Sequence, residues 1–214
     1  MALSKVNFNS MNVTPSASKA IKFNSNNNGL ETGDLGGSLV LISEQTASSS
    51  ATIDFTSGID STYKEYVFKF IDIHPATDSA HLTFQADTGT NTNYNQTITS
   101  TFFRAYHDEA DNNTQLGYIT AQDLAQSTSF KQLNHQQGNG NDECAVGTLQ
   151  LFNPASTTFL KHFIGRNQYY YQDDYSMDVF TSGYFNTTTA LTRVRFKMSS
   201  GNIDAGTIKM YGVS

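Results

Sequence analysis

Between Ser38 and Val213 the apolar residues come in short runs, many with a two-residue period, and turn-forming residues separate the runs. The alternation is sharpest in TRVRFKMSS, where Val194, Phe196 and Met198 interleave with Arg193, Arg195 and Lys197. A strand with one buried and one wet face has this period. Ser199-Ser200-Gly201-Asn202 supplies turn chemistry, Asp204-Ala205-Gly206 prolongs the loop, and Thr207 to Val213 resumes as a strand, which predicts an outer-edge hairpin. Leu39-Val40-Leu41-Ile42 is a continuous apolar run compatible with a buried strand, and Ala51 to Phe55 is a further candidate. Across Tyr63 to Ile73, Tyr66, Phe68 and Phe70 share one face before the phase shifts at Ile71 and Ile73, as a β-bulge would cause. His81 to Asp87 alternates, with Leu82, Phe84 and Ala86 inward.

Further strands are predicted over Thr97 to Tyr106, Gly117 to Ile119, Gly147 to Phe152, Thr157 to Ile164 and Tyr175 to Phe180. Ala121 to Gln126 reads as one helical turn with Thr120 as its N-cap, and Asn134 to Asn141 as a loop. About ten short strands with almost no helix predict an all-β fold, a two-sheet antiparallel sandwich of jelly-roll type. Residues 1–36 differ: isolated Ile21, Phe23, Leu30 and Leu35 stand in a polar, glycine-bearing background. Such a segment buries little surface alone. It is expected to be an extended N-terminal arm that orders against a partner through those four side chains, leaving 37–214 as the sandwich.

Composition narrows the function. Charged residues make up only 15% of the 214, below the globular average of about a quarter, and Asn, Ser, Thr, Gly and Gln fill the difference. The net charge of −6 leaves no basic footprint for nucleic acid, and the Arg193, Arg195 and Lys197 stripe reads as a solvated or guarded face. The single Cys144 permits no internal disulfide and reads as a small apolar side chain. MALSKVNFNSMNVTP lacks the basic start and apolar run of a signal peptide, and Leu39 to Ile42 is too short to span a bilayer. Synthesis in a cytoplasm and no membrane insertion are expected.

Nothing compels an enzyme. G-x-S-x-G, the phosphate-binding G-x-x-x-x-G-K-[ST] loop and H-E-x-x-H are all absent. His107-Asp108-Glu109 with Asp111 and Asn112 departs from the calcium-loop spacing and reads first as a solvated acidic turn. His74 reads as capping a turn and His162 as a half-exposed strand residue. The densest recognition chemistry is Tyr169-Tyr170-Tyr171 with Asp173, Asp174 and Tyr175. Aromatic faces beside carboxylates and amides suit a subunit interface first and a glycan second, with carbohydrate hydrolysis a distant third.

The blocks MALSKVNFNSMNVTPSASKAIKFNS, STYKEYVFKFIDIHPATDSAHLTFQ, TFFRAYHDEA, FNPASTTFLKHF and SSGNIDAGTIKMYGV resemble a family of uncharacterised, virion-associated proteins of marine tailed bacteriophages, along nearly the whole chain. The resemblance implies a virion structural protein and offers no catalytic residues to carry over. The expectation is therefore a non-enzymatic component of the particle exterior, a capsid decoration protein or part of a tail fibre or other appendage. It needs no cofactor, and its partners are itself, as a homotrimer, and other virion proteins. The alternative is a tail adhesin that binds host surface glycan; a polysaccharide depolymerase ranks third.

Overall fold

The computed structural model describes residues 13–14, 19–33 and 39–214. They divide into an N-terminal unit within residues 1–38 and a body, Leu39–Val213. In the first unit, β1 (Ala20–Phe23) and β2 (Leu30–Gly33) form an antiparallel hairpin with Phe23 opposite Leu30. The sequence reading assigned no strand here. Asn24 to Asn28 closes the turn through the Asn24 side chain, which accepts the Asn28 N–H at 3.2 Å. Phe23 stays 72% exposed, Ile21 is exposed and Leu30 half-buried, while Leu35 lies outside the described residues.

The body holds β3 (Leu39–Thr46), β4 (Ile53–Phe55), β5 (Glu65–Pro75), β6 (Leu82–Thr88), β7 (Ile98–Asp108) and β8 (Thr114–Tyr118). There follow β9 (Lys131–Gln132), β10 (Ala145–Phe152), β11 (Lys161–Tyr171), β12 (Tyr175–Phe185), β13 (Leu191–Met198) and β14 (Ile203–Val213). The large sheet runs β3-β14-β5-β10-β11-β12-β7-β8 and the small sheet β4-β13-β6-β9. Following the chain through β3, β4, β5, β6, β9, β10, β13 and β14 takes it back and forth between the sheets. The resulting orders, β3-β14-β5-β10 and β4-β13-β6-β9, are the two interleaved Greek keys of a jelly roll. Two hairpins, β7–β8 and β11–β12, are inserted between those strands and widen the large sheet alone. The predicted all-β sandwich is the observed fold.

The inward faces meet in an aromatic core. Phe196 on β13 lies 5.3 Å from both Phe68 and Phe70 on β5, and Phe84 on β6 lies 5.0 Å from Phe163 on β11. The phase shift in β5 is a bulge: Phe70 and Ile73 both point inward because Asp72, at φ 51°, is an extra residue against both β10 and β14.

Five local expectations are corrected. β13 and β14 do not pair with each other; they are interior strands of different sheets, so the predicted edge hairpin is an arch across the sandwich. Leu39, Val40 and Leu41 are exposed rather than buried, because β3 is an edge strand with β14 as its single neighbour. The helical turn is only a 3-10 turn over Thr120–Gln122, with Ile119 at the N-cap position and no side-chain cap. β6 is buried on both faces, since loops cover the outer side of the small sheet. There Gln85 donates to the carbonyls of Gln96, Thr128 and Ser129, and Asp87 accepts the Tyr94 N–H at 2.8 Å. The cationic stripe sits under this cover: Arg195 makes a two-point contact to Asp54 and stacks 4.1 Å from the Tyr94 ring, and Lys197 lies 4.3 Å from Phe130. No described helix is long and apolar enough to cross a membrane.

Candidate functional site

Beyond the small sheet, the inserted hairpins carry the large sheet past the end of the core. Their turns adjoin, Tyr175 pairing with Asp108 and the Glu109 N–H donating to the Asp174 carbonyl at 3.1 Å. Period-two alternation then decides which side chain faces where. Phe102, Arg104 and Tyr106 of β7, with Tyr169 and Tyr171 of β11 and Tyr175 and Met177 of β12, share the inner face; Tyr170 takes the outer one.

The six residues singled out from the sequence therefore split. Tyr169 is fully buried and leaves the surface patch: its hydroxyl donates to the His135 carbonyl at 2.7 Å and accepts the His135 N–H at 3.1 Å. Burial raises its pKa above the usual tyrosine range. Tyr170 sits on the opposite face, its hydroxyl 3.0 Å from Asp174 Oδ1 and 3.1 Å from Glu109 Oε1. Desolvation and those two carboxylates push its pKa up. Tyr171, Asp173 and Tyr175 come together in a cleft of about 140 Å³, and the other walls are Arg104, Tyr106 and Met177. The sequence reading missed Arg104 and Tyr106. The available signal was a cation at an inward position of an alternating strand, Phe102-x-Arg104-x-Tyr106.

The cleft is aromatic, with Arg104 and Asp173 as its charged walls. The Tyr175 ring makes edge contacts with Tyr106 at 5.4 Å and with Tyr171 at 5.6 Å. The Tyr171 hydroxyl is anchored to Gln136 Oε1 at 2.9 Å, and the Arg104 guanidinium lies 5.4 Å from the centre of Tyr106. Arg104 Nε is buried with no acceptor. Among the described residues every other arginine has an oxygen acceptor: Arg166 pairs with Asp178, Arg195 with Asp54, and Arg193 donates to the Gly89 carbonyl. The cavity is smaller than a typical drug-sized pocket and suits a single small group.

Behind the cleft, His135 stacks on His81 at 4.9 Å, and the His81 Nδ1 accepts the Gln136 N–H at 2.8 Å. Burial, with the charges of His81 and Arg104, pulls the His135 pKa from its ordinary 6.5 to about 4. His81 is lowered as well, by burial. The folded protein thus holds both rings neutral while the unfolded chain takes up protons below about pH 6.5, so stability falls as pH drops from there toward 4. Because the pair is part-exposed, we expect a loss of about 1–2 kcal/mol from His135. Urea midpoints at pH 7 and pH 5 test this: His135→Gln should show a shallower decline than the parent, and parallel declines would refute it.

The remaining candidate groups have structural roles. The Asp108 carboxylate closes the β7–β8 turn by accepting the N–H groups of Asn112 and Asn113, both at 2.8 Å, and these bonds lower its pKa. His107 contacts Asp111 at 3.0 Å. No three His, Cys, Asp or Glu side chains among the described residues are placed to share a metal ion. His74 Nε2 lies 3.0 Å from the Gly140 carbonyl, and His162 is exposed beside Tyr184. Cys144 lies 3.9 Å from Asp72; burial and that carboxylate push its thiol pKa up, away from the nucleophilic form.

The outer face of the inserted strands carries exposed apolar residues among polar ones. One row reads Arg166, Phe180, Phe103, Tyr118 across β11, β12, β7 and β8. Phe103 and Phe180 stack at 4.9 Å with planes 5° apart, and Arg166 covers Phe180 at 4.9 Å. Leu116 in the next row is 72% exposed and Ile164 in the preceding one 50%. No family model, no curated protein and no solved structure matches this chain.

Proposed function

We infer that this chain is a non-enzymatic structural protein of a bacteriophage particle exterior, a capsid decoration protein or appendage component. The observation that carries the reading is a cluster of exposed apolar residues on the outer face of β11, β12, β7 and β8. Phe103, Leu116, Tyr118 and Ile164 are all at least 39% exposed on one sheet surface. Contiguous apolar surface of this kind marks an interaction site. A second copy of the chain is its occupant, giving a closed homo-oligomer, a trimer, and the exposed Phe23 on the N-terminal hairpin offers a further anchor. The resemblance to virion-associated phage proteins and the jelly roll, an architecture common to capsid and lectin domains, support the same reading by analogy.

Sedimentation equilibrium tests the assembly. The protein should run as a trimer, and Leu116→Asp combined with Phe103→Asp should give a folded monomer. A parent protein that stays monomeric at every concentration would sink the interface. Imaging of intact virions tests location: many symmetry-related copies on the head fit decoration, and a few at the tail fit an appendage.

A second reading, a host-glycan-binding module, is favoured by the cleft of Tyr106, Tyr171 and Tyr175. Three tyrosine rings beside an exposed carboxylate, Asp173, provide the apolar surface and hydroxyl acceptor that a sugar requires.

A further inference from the structure

We propose that the tyrosine cleft binds a carboxylate-bearing sugar residue, with Arg104 taking the carboxylate; the inference rests on the glycan-binding reading. Arg104 carries the argument. A guanidinium on the inner face of a sheet loses hydration, and structures offset that loss with hydrogen-bonded anions. The other arginines follow this rule or donate to a carbonyl, whereas Arg104 has a ring contact, a buried Nε without an acceptor, and no ion pair among the described residues. Arg104 lines the same volume as Tyr106, Tyr171, Tyr175, Met177 and Asp173. The planar fork of an arginine matches a carboxylate in two-point geometry.

The surrounding charges select the kind of anion. His135, stacked on His81, is held neutral at pH 7, since burial lowers its pKa. Asp173 lines the cleft itself, and Asp108, Glu109 and Asp174 border the adjoining depression with it. The Asp173 carboxylate in the wall, with the acidic turns nearby, disfavours a phosphate or a densely sulfated chain. One carboxylate that Arg104 neutralises is tolerated there, and Asp173 can accept hydroxyl hydrogen bonds. The ring faces require apolar C–H surface beside the charge. A uronic-acid unit at the end of a saccharide has one carboxylate, several hydroxyls and such a C–H face, in a size that fits.

The test uses the full chain and calorimetric titration with two probes of equal length, a galacturonic acid trisaccharide and a neutral galactose trisaccharide. The acidic probe should bind about tenfold more tightly, the increment expected of one charge-assisted contact. Arg104→Gln should abolish the difference while keeping the parent's circular dichroism, and Arg104→Lys should keep part of it. If Arg104→Gln fails to fold, Tyr175→Ala serves instead: it should weaken both probes alike, because a ring face does not sense charge. Equal binding of both probes to the parent would overturn the carboxylate assignment and leave the glycan reading standing. No binding of either probe by folded protein would overturn both. Displacement of the acidic probe by sulfate at equal concentration would reduce the cleft to a simple anion site and overturn the sugar.

Discussion

Replacing Phe196 with alanine should destabilise the protein by about 3–5 kcal/mol, a large share of the stability of a domain this size. Phe196 is fully buried and is one of the rings through which the two sheets meet. It contacts Phe68 and Phe70 of the large sheet at 5.3 Å, and Phe55 and Phe84 of its own sheet at 6.1 and 6.3 Å. All four neighbours sit on strands held in register by backbone ladders, so they cannot move in to fill the vacated volume. The lost transfer energy and the cavity therefore add. Urea unfolding should show a lower midpoint with an unchanged slope. A loss under about 1 kcal/mol would mean that the sheets close on the gap, contrary to this account.

Gly206→Ala should rank next, at about 2–3 kcal/mol. Gly206 lies opposite the β5 bulge at φ 113°, a backbone conformation that residues with a Cβ rarely adopt. A Cβ there would stand 2.6 Å from the Asp72 carbonyl oxygen and 2.7 Å from Ile73 Cα, both backbone atoms fixed by the neighbouring ladders. The Gly206 carbonyl also accepts the Ala47 N–H at 2.8 Å, so a shift at this point would loosen β3. Gly89 is the control: its φ is 58°, yet a Cβ would meet nothing within 4 Å. Gly89→Ala should cost only the local backbone term, about 1 kcal/mol. Equal effects at the two positions would show that the bulge contact does not matter.

The strands that the sequence made legible are those whose two faces differ in chemistry. β13 alternates cation with apolar residue, and the β5 bulge shows as a slip in the same rhythm. Where both sides of a strand share one chemistry, alternation carries no information. Leu39-Val40-Leu41 is apolar on both faces, so its edge position was invisible, and that position depends on β14, which arrives some 160 residues later. Tyr169-Tyr170-Tyr171 hides its faces in the same way: one tyrosine is in the core, one is outside and one lines the cleft. Half of the candidate site was legible as composition, in Tyr171, Asp173 and Tyr175. Of the rest, Met177 follows on β12, while Arg104 and Tyr106 come from a hairpin far away in sequence, and only the pairing of β7 with β12 brings them alongside. That pairing is a property of the two inserted hairpins, and no local pattern announces it.

The arch from β13 to β14 also constrains how the molecule is made. β13 separates β4 from β6, and β14 separates β3 from β5. Until residues 191–213 have left the ribosome, both sheets lack an interior member, and four earlier strands have an open side. Nascent chains stalled before Leu191 thus present unpaired backbone and the apolar faces of Phe55, Phe68 and Phe84 to their surroundings. Folding of both sheets is in this sense deferred: β3, β4, β5 and β6 wait for strands that follow them in the chain. Once those strands arrive both sheets close together, and with pairings this distant in sequence the closure is slow.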